Sequence, residues 1–404
     1  MFNINSYNEI AAEGLELFEK EQYALDVTDD PDGILLRSAD LHGTVLPLQL
    51  KGIARAGAGT NNIPLKECSE RGIVVFNTPG ANANAVKELV LASLLLAARP
   101  ILEGAMWAKT LKGPDAVQKA EAEKKRFVGS ELAGKRLGVI GLGSIGAMVA
   151  NDAYRLGMEV RGYDPYLSVD TAWKISRHVI RVESIEEVLE TCDYITVHVP
   201  LMPETAKMID AESIQRIKKN AVLLNFSRGG LVDIEAVVEA LEERRLAQYM
   251  TDFVDERLLG IEGAVVLPHL GAATAEAETN CSVMAAETLK YFLETGNIRH
   301  SVNFPHVEMA FRSPIRLAIA NRNVTNRIGQ MSAILAEQGI NIVNILNRSK
   351  GDYAYTLIDI DEIDADQLGH IANKVRQLEG ILSVRVIRPL NRKEGIAHGS
   401  DQSV

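Results

Sequence analysis

The stretch Gly141-Leu142-Gly143-Ser144-Ile145-Gly146 carries the residue types and spacing that bear most directly on chemistry. It follows a short apolar run at 137–140 and opens a helix-like stretch at 145–156. In that context each glycine has its own use: Gly141 permits a tight turn, Gly143 lets the backbone approach a diphosphate, and Gly146 lets helix and strand pack closely. The diphosphate would rest on the positive helix N-terminus, at the amides of Ser144 and Ile145. A second strand pattern ends in Tyr163-Asp164, 23 residues after Gly141, where a carboxylate is expected to meet ribose hydroxyls. A negative charge at 164 would repel a 2′-phosphate, so the expected cofactor is NAD rather than NADP.

Three further residues follow apolar runs of the same region: Arg228 in NFSRGG, Glu256 in TDFVDERLL and His269 in VVLPHLGA. Ligands of open α/β sheets bind off the carboxyl ends of strands, which is where Arg228 and His269 fall. Arginine is a fixed fork that binds a carboxylate and holds a carbonyl oxygen. Histidine titrates near pH 6.5 when unperturbed and can exchange the proton of a hydroxyl. A neighbouring glutamate would orient the imidazole and keep its pKa up. Singly these residues mean little; downstream of a dinucleotide fingerprint they form a set suited to hydride-transfer chemistry.

The elements that must position them follow a regular rhythm. With 404 residues the chain is long enough for two to three domains. Apolar residues make up 47% and charged residues 24%, ordinary for a globular protein and unlike a disordered chain, a collagen or a coiled coil. Short buried-strand patterns at 33–36, 52–54 and 73–76 alternate with helical stretches, which predicts a parallel sheet in residues 1–98. The rhythm repeats more strongly over 99–289, with strands at 137–140, 159–163, 194–199, 221–226 and 264–267 and helices at 183–190, 211–217 and 234–244. That is a doubly wound α/β pattern. A Pro-bearing linker at 306–314 precedes a unit at 315–390, whose order is strand, helix, strand, strand, helix, strand, a ferredoxin-like βαββαβ arrangement. Residues 391–404 have no apolar stripe and read as a loose tail.

Net charge is −11, which makes nucleic acid and anionic membranes poor partners. Cys68, Cys192 and Cys281 are too sparse for a disulfide framework or a metal cluster and fit a reducing cytoplasm; no metal is expected. The N-terminus has no signal-peptide pattern, and the apolar run at 89–98 is too short to span a bilayer.

These stretches together resemble the D-isomer-specific 2-hydroxyacid dehydrogenases. The matching segments are ARAGAGTNN at 54–62, NTPG at 77–80, GLGSIG at 141–146, HVPLMPET at 198–205, NFSRGG at 225–230, PHLGA at 268–272 and SVNFP at 301–305. Within the family the chain is similar to the branch that oxidises D-3-phosphoglycerate and carries a C-terminal ACT domain. The resemblance implies a flavodoxin-like substrate-binding domain from 1–98 plus 290–305, a Rossmann-type NAD domain at 99–289 and an ACT-like domain at 315–390. It implies NAD-dependent oxidation of D-3-phosphoglycerate to 3-phosphohydroxypyruvate, the first committed step of L-serine biosynthesis. Arg228, Glu256 and His269 would be catalytic. Val199, Pro200 and Thr205 would join the cofactor site, with Asp252 on the nicotinamide amide. Relatives place the glutamate five residues after that aspartate, where this chain has Arg257, so Asp255 is the alternative to Glu256.

On the substrate side, Gly57, Ala58 and Gly59 can present successive amides to a carboxylate. By resemblance Arg55 binds the phosphate, and Asn77 belongs to the same site. Lys124, Lys125 and Arg126 are either a solvated face or a basic rim for that phosphate. By resemblance the helix starting at Val86-Lys87-Glu88 borders a dimer interface, and the assembly would be a homodimer or homotetramer. In the C-terminal unit Asn321, Asn323 and Asn341 are the residues for an amino-acid effector such as L-serine, although the family's Asn-x-Pro-Gly loop reads Asn323-Val324-Thr325-Asn326 here. Two other readings stay open. One is a reductase for hydroxypyruvate, glyoxylate or another 2-oxo acid. The other is an NAD-sensing binding module like the C-terminal-binding-protein corepressors, which lack an ACT-like unit.

Overall fold

The computed structural model describes residues 1–8 and 10–389. The chain divides into two compact units, Asn82–Ala277 and a second built from Met1–Ala81 together with the segment starting at Glu278.

In Asn82–Ala277, seven parallel strands form one sheet. The central strand Arg136–Ile140 has Glu159–Tyr163 and then Ile180–Arg181 on one side and the middle strand Tyr194–Val197 on the other. Ala221–Asn225, Leu246–Thr251 and Ala264–Val266 continue outward from Tyr194–Val197. The strand order thus reverses between Arg136–Ile140 and Tyr194–Val197, which makes that gap the ligand-binding switch point of a doubly wound sheet. The central strands are fully buried, as parallel strands covered by helices on both faces must be. The strand Leu246–Thr251 escapes the sequence reading because LAQYMT mixes polar and apolar residues without a clean period.

In the other unit, five parallel strands are ordered Tyr23–Leu25, Phe2–Tyr7, Gly33–Leu36, Gly52–Arg55, Val74–Phe76. This is the flavodoxin-like order expected. A four-stranded antiparallel sheet carries the C-terminal βαββαβ unit: Ile342–Lys350, Tyr353–Ile360, Ile315–Arg322 and Ile381–Ile387, in that spatial order. Helices Arg327–Glu337 and Ala365–Arg376 cover one face through Ile315, Leu317, Ile319, Ile358 and Ile360.

Two boundaries move from where the sequence placed them. The helix Ala83–Ala98 belongs to the Rossmann unit, not to 1–98, because Val86, Val90, Leu94 and Ala98 pack with Leu137, Val139 and Val149. The return crossing falls at 277/278 rather than 289/290, inside the helix Ala275–Thr295. The C-terminal sheet is also no separate body on a linker. Its second face, with Ala318, Ala320, Tyr355, Leu357 and Ile387, shares one core with Phe76, Leu289, Phe292 and Leu293. Gly296, at φ +74°, ends the helix where a Cβ would lie 2.8 Å from Ile387 Cδ1. The tail at 391–404 lies outside the described residues. Among the described residues no single helix is long and apolar enough to cross a membrane, and no cluster of metal-ligating side chains occurs.

Candidate active site

The glycine loop leaves the central strand at the switch point and enters the helix Ser144–Arg155. Its three glycines are required in three ways. Gly141 has φ +90°, and a Cβ there would sit 2.6 Å from the His198 carbonyl oxygen. A Cβ on Gly146 would fall 1.9 Å from the Gly141 oxygen, so helix and loop could not close together. Gly143 faces open space, with no atom within 4 Å of its Cβ position. A cradle with a bare backbone, at the start of a 12-residue helix, is suited to a diphosphate.

Asp164 ends the neighbouring strand and is half-buried. One carboxylate oxygen accepts Leu142 N–H (2.8 Å) and the other Tyr166 N–H (2.8 Å), each keeping lone-pair capacity for a hydroxyl. A cavity of ≈ 450 Å³ adjoins it, lined by Leu142, Asp164, Pro165, Ile175, Arg177 and Arg181. On the other side of the switch point, Ser227 Oγ donates to Val199 O (2.8 Å). Thr205 Oγ1 bridges Pro200 O (2.7 Å) and Met202 N–H (2.8 Å), fixing the 200–205 turn.

Arg228 and His269 both stand where the sequence put them, just beyond the strands on either side of Leu246–Thr251, and both are exposed. A polar chain sets the Arg228 backbone: Thr251 Oγ1 donates to Asn225 O (2.9 Å), and Asn225 Nδ2 donates to Arg228 O (2.9 Å). The guanidinium donates only to Ser227 O (2.6 Å) among the described residues, leaving most of its fork free. His269 has φ +49°, a left-handed conformation uncommon outside glycine. Its N–H donates to Asp252 O (2.9 Å), and its ring lies 5.2 Å from that of Phe253.

Asp252 is buried at 1% exposure. Its Oδ2 accepts Gly271 N–H (2.7 Å), and its Oδ1 has no partner. An unpartnered carboxylate oxygen in a buried site calls for a donor, and the carboxamide of a nicotinamide is such a donor. The residues present therefore fit NAD.

The acid expected beside His269 is not resolved in favour of either choice. Glu256 opens the short turn Glu256–Leu258, exposed, its carboxylate without a hydrogen bond or ion pair among the described residues. Asp255 is fully engaged by Arg257, through Oδ1 to N–H (3.0 Å) and Nε (2.9 Å) and Oδ2 to Nη2 (2.7 Å). That pairing holds the Asp255 carboxyl below its usual range. Neither acid bonds to His269.

In the unit with residues 1–81, the loop 57–59 follows Gly52–Arg55. The amides of Ala58 and Gly59 have no partner among the described residues, as a carboxylate-binding nest requires. Asn77 does not point outward; its Nδ2 donates to Ala58 O (2.7 Å) and braces the loop. Arg55 also braces it, donating to Arg37 O (2.9 Å) and Gly59 O (2.6 Å).

Two expectations weaken. Lys124 and Arg126 pair with Glu121 and Glu123 on an exposed turn, so this run is a solvated face. The three effector asparagines are not brought together within one chain. Asn321 is buried and bonds Arg322 O (2.8 Å), near Ala354 in the register. Asn323 bonds Gly351 O (3.0 Å) at that same end. Asn341 bonds Asp361 (3.3 Å), beyond Ile360 at the opposite end, where Ile360 pairs with Ile315. Six residues of strand separate the two ends, roughly 20 Å.

Sequence reasoning missed His198. It is half-buried, with Nε2 on Thr196 Oγ1 (2.9 Å) and Nδ1 buried and unpartnered, and desolvation holds its imidazole down to about 4. Its place in HVPLMPET was visible; that the ring turns inward was not.

The comparisons agree with this geometry. Residues 91–271 match the D-isomer specific 2-hydroxyacid dehydrogenase, NAD binding domain. The chain is 38% identical over 265 residues to the D-3-phosphoglycerate dehydrogenase of Methanocaldococcus jannaschii, covering 64% of this chain and 48% of that one. It is 30% identical over 355 residues to a putative D-3-phosphoglycerate dehydrogenase of Schizosaccharomyces pombe, covering 81% and 72%. The NAD⁺-bound 3-phosphoglycerate dehydrogenase structure of Entamoeba histolytica superposes with TM-score 0.59 at 26% identity, over 75% of this chain and 99% of that one. The chain spans about half the length of the relatives from M. jannaschii, Synechocystis and Bacillus subtilis. The chain belongs to the D-isomer specific 2-hydroxyacid dehydrogenase family, and its Rossmann unit is that family's NAD-binding domain. Within the family the relatives it matches are D-3-phosphoglycerate dehydrogenases.

Proposed function

We propose that this protein oxidises the C2 hydroxyl of D-3-phosphoglycerate to 3-phosphohydroxypyruvate with NAD, the first committed step of L-serine biosynthesis. The observation that carries the chemistry is the pair Arg228 and His269: both exposed at the carboxyl ends of strands of the NAD sheet, the guanidinium fork largely unspent. The names of the relatives carry the substrate. When bound, NAD supplies the hydride acceptor. His269, neutral, takes the hydroxyl proton; Arg228 holds the carboxylate and the carbonyl oxygen as it forms. In the other unit the free amides of Ala58 and Gly59 suit a carboxylate, and Arg55 keeps that loop in shape while its charge favours a phosphate.

Glu256 is the acid proposed to orient His269, because Asp255 is spent on Arg257. The pH–rate profile decides: Glu256→Gln should move the limb that reports His269, and Asp255→Asn should not. An unmoved limb in Glu256→Gln removes that role.

Partners and setting belong to the same reading. The exposed Leu102, Met106, Val117 and Val128 around the helix Ile101–Ala108 favour a homo-oligomer, and the C-terminal unit favours an ACT-like effector module. Three free, buried cysteines favour a reducing cytoplasm.

The test is NADH formation from D-3-phosphoglycerate at alkaline pH, with and without millimolar L-serine. Turnover is expected, and its suppression by serine would support the effector module. Reduction of glyoxylate or hydroxypyruvate without turnover of phosphoglycerate would overturn the substrate and keep the mechanism.

A further inference from the structure

A cavity of ≈ 300 Å³ opens on the seam where the C-terminal sheet meets the flavodoxin-like sheet and the helix Ala275–Thr295. It is lined by four cations, Lys51, Arg376, Arg385 and Arg388, and by the carboxylate of Glu294. Two of the cations are matched: Lys51 pairs with Asp32, and Arg388 with Glu362 (2.6 Å). Glu294 accepts a hydrogen bond from the Tyr23 hydroxyl (2.7 Å).

Arg376 and Arg385 differ. Among the described residues neither forms an ion pair; the Asp32 carboxylate, already paired with Lys51, acts on Arg385 only from a distance. Arg376 spends two donors, on Asn373 Oδ1 (2.8 Å) and Val384 O (3.2 Å). Arg385, half-buried on the strand Ile381–Ile387, reaches the carbonyls of Phe292 (3.4 Å) and Leu293 (2.8 Å), lies against the Phe292 ring at 4.4 Å and has the Tyr355 hydroxyl nearby. A guanidinium taken out of water without an anion is costly, and burial lowers its pKa from the ordinary value. The same sheet shows the matched alternative: Arg316, two residues of register away, is fully buried and holds Asp359 through Nε and Nη2. We infer that the cavity at Arg376 and Arg385 binds a small anion, a phosphate- or carboxylate-bearing molecule, which supplies the direct ion pair these arginines lack.

Position gives such a ligand a consequence. Lys51 immediately precedes the strand Gly52–Arg55, which delivers the loop 57–59. An anion held between Lys51, Arg376 and Arg385 ties the C-terminal sheet to that strand.

The experiment is a thermal melt of the full chain with saturating NADH, at constant ionic strength set by chloride, titrated with inorganic phosphate or with acetate. Wild type should rise in midpoint by several degrees. Arg376→Ala and Arg385→Met should each weaken the response about tenfold or more, the value of a lost charge-assisted hydrogen bond. Arg385→Met should also melt no lower than wild type without anion, because it removes an unmatched charge. A response to phosphate alone identifies a phosphate monoester; a response to both identifies a site that a carboxylate also fills. No rise with either anion, or a rise that survives either substitution, overturns the inference. Arg376 is exposed, so its variant keeps the test valid if Arg385→Met fails to fold.

Discussion

Two arrangements of charge stand side by side in this molecule. At the carboxyl ends of the NAD sheet, Arg228, Glu256 and His269 are exposed and almost free of partners. At the seam of the C-terminal sheet, Arg316 and Asp359 are fully buried. Arg316 donates to Asp359 at 2.6 and 2.9 Å and also to Thr295 O, Asn297 Oδ1, Met309 O and Ala310 O. It lies 4.3 Å from the Phe311 ring as well. The difference separates two tasks. A group that must meet substrate keeps its hydrogen-bonding capacity unspent, and its surroundings fix only its backbone, as Asn225 and Thr251 do for Arg228. A group that must hold two layers together spends every donor, since a buried one left over costs more than the bond is worth.

Substitutions should therefore separate along the same line. The largest effect is expected for His269→Gln: kcat/KM with phosphoglycerate should fall about 10²- to 10⁴-fold, the usual contribution of a general base, with the melting midpoint nearly unchanged. A variant that keeps wild-type turnover, or one that unfolds, erases the contrast. Next, Arg316→Met should cost about 3–5 kcal/mol in urea unfolding, because it strands the Asp359 carboxylate. The double variant with Asp359→Leu should regain most of that loss. A single variant as stable as wild type would mean that the seam is open to water.

The third effect tests a half-buried histidine between these extremes. His198 is held neutral by burial, with a pKa of about 4 against 6.5 for the free side chain. Between those values the unfolded chain binds a proton that the native one refuses. Stability should then rise by about 3 kcal/mol as the pH climbs from about 4 to 6.5, and be level outside that window as far as this residue is concerned. His198→Asn should remove that part of the slope in acid unfolding of the Rossmann unit. A slope unchanged by the substitution would place the linkage elsewhere.

Much of this was legible in the residues. The strand at Gly33–Leu36 is legible to the residue, because it is a short apolar run ended by polar residues. The glycine fingerprint gave the cofactor loop and Asp164 because each glycine answers a backbone demand that no other residue meets. Other features were not readable. The strand Phe2–Tyr7 alternates polar and apolar residues with no strong run, and it pairs centrally only because Gly33–Leu36 and Tyr23–Leu25 flank it. Asn77 was read as a substrate contact, but its amide is turned onto Ala58 O.

By itself the sequence determined the class of each sheet, the cofactor loop and the residues beyond its strand ends, since period, glycine spacing and strand ends are local properties of the chain. Only the tertiary structure decided that the inner strands of the C-terminal sheet, Ile315–Arg322 and Tyr353–Ile360, are buried on both faces. In Ile315–Arg322 the odd positions face the helices and the even ones, Arg316, Ala318 and Ala320, face the seam. A strand apolar on both sides looks the same whichever layer covers it. Whether an arginine on such a face forms an ion pair, as Arg316 does, or forms none, as Arg385 does among the described residues, depends on residues far away in the chain.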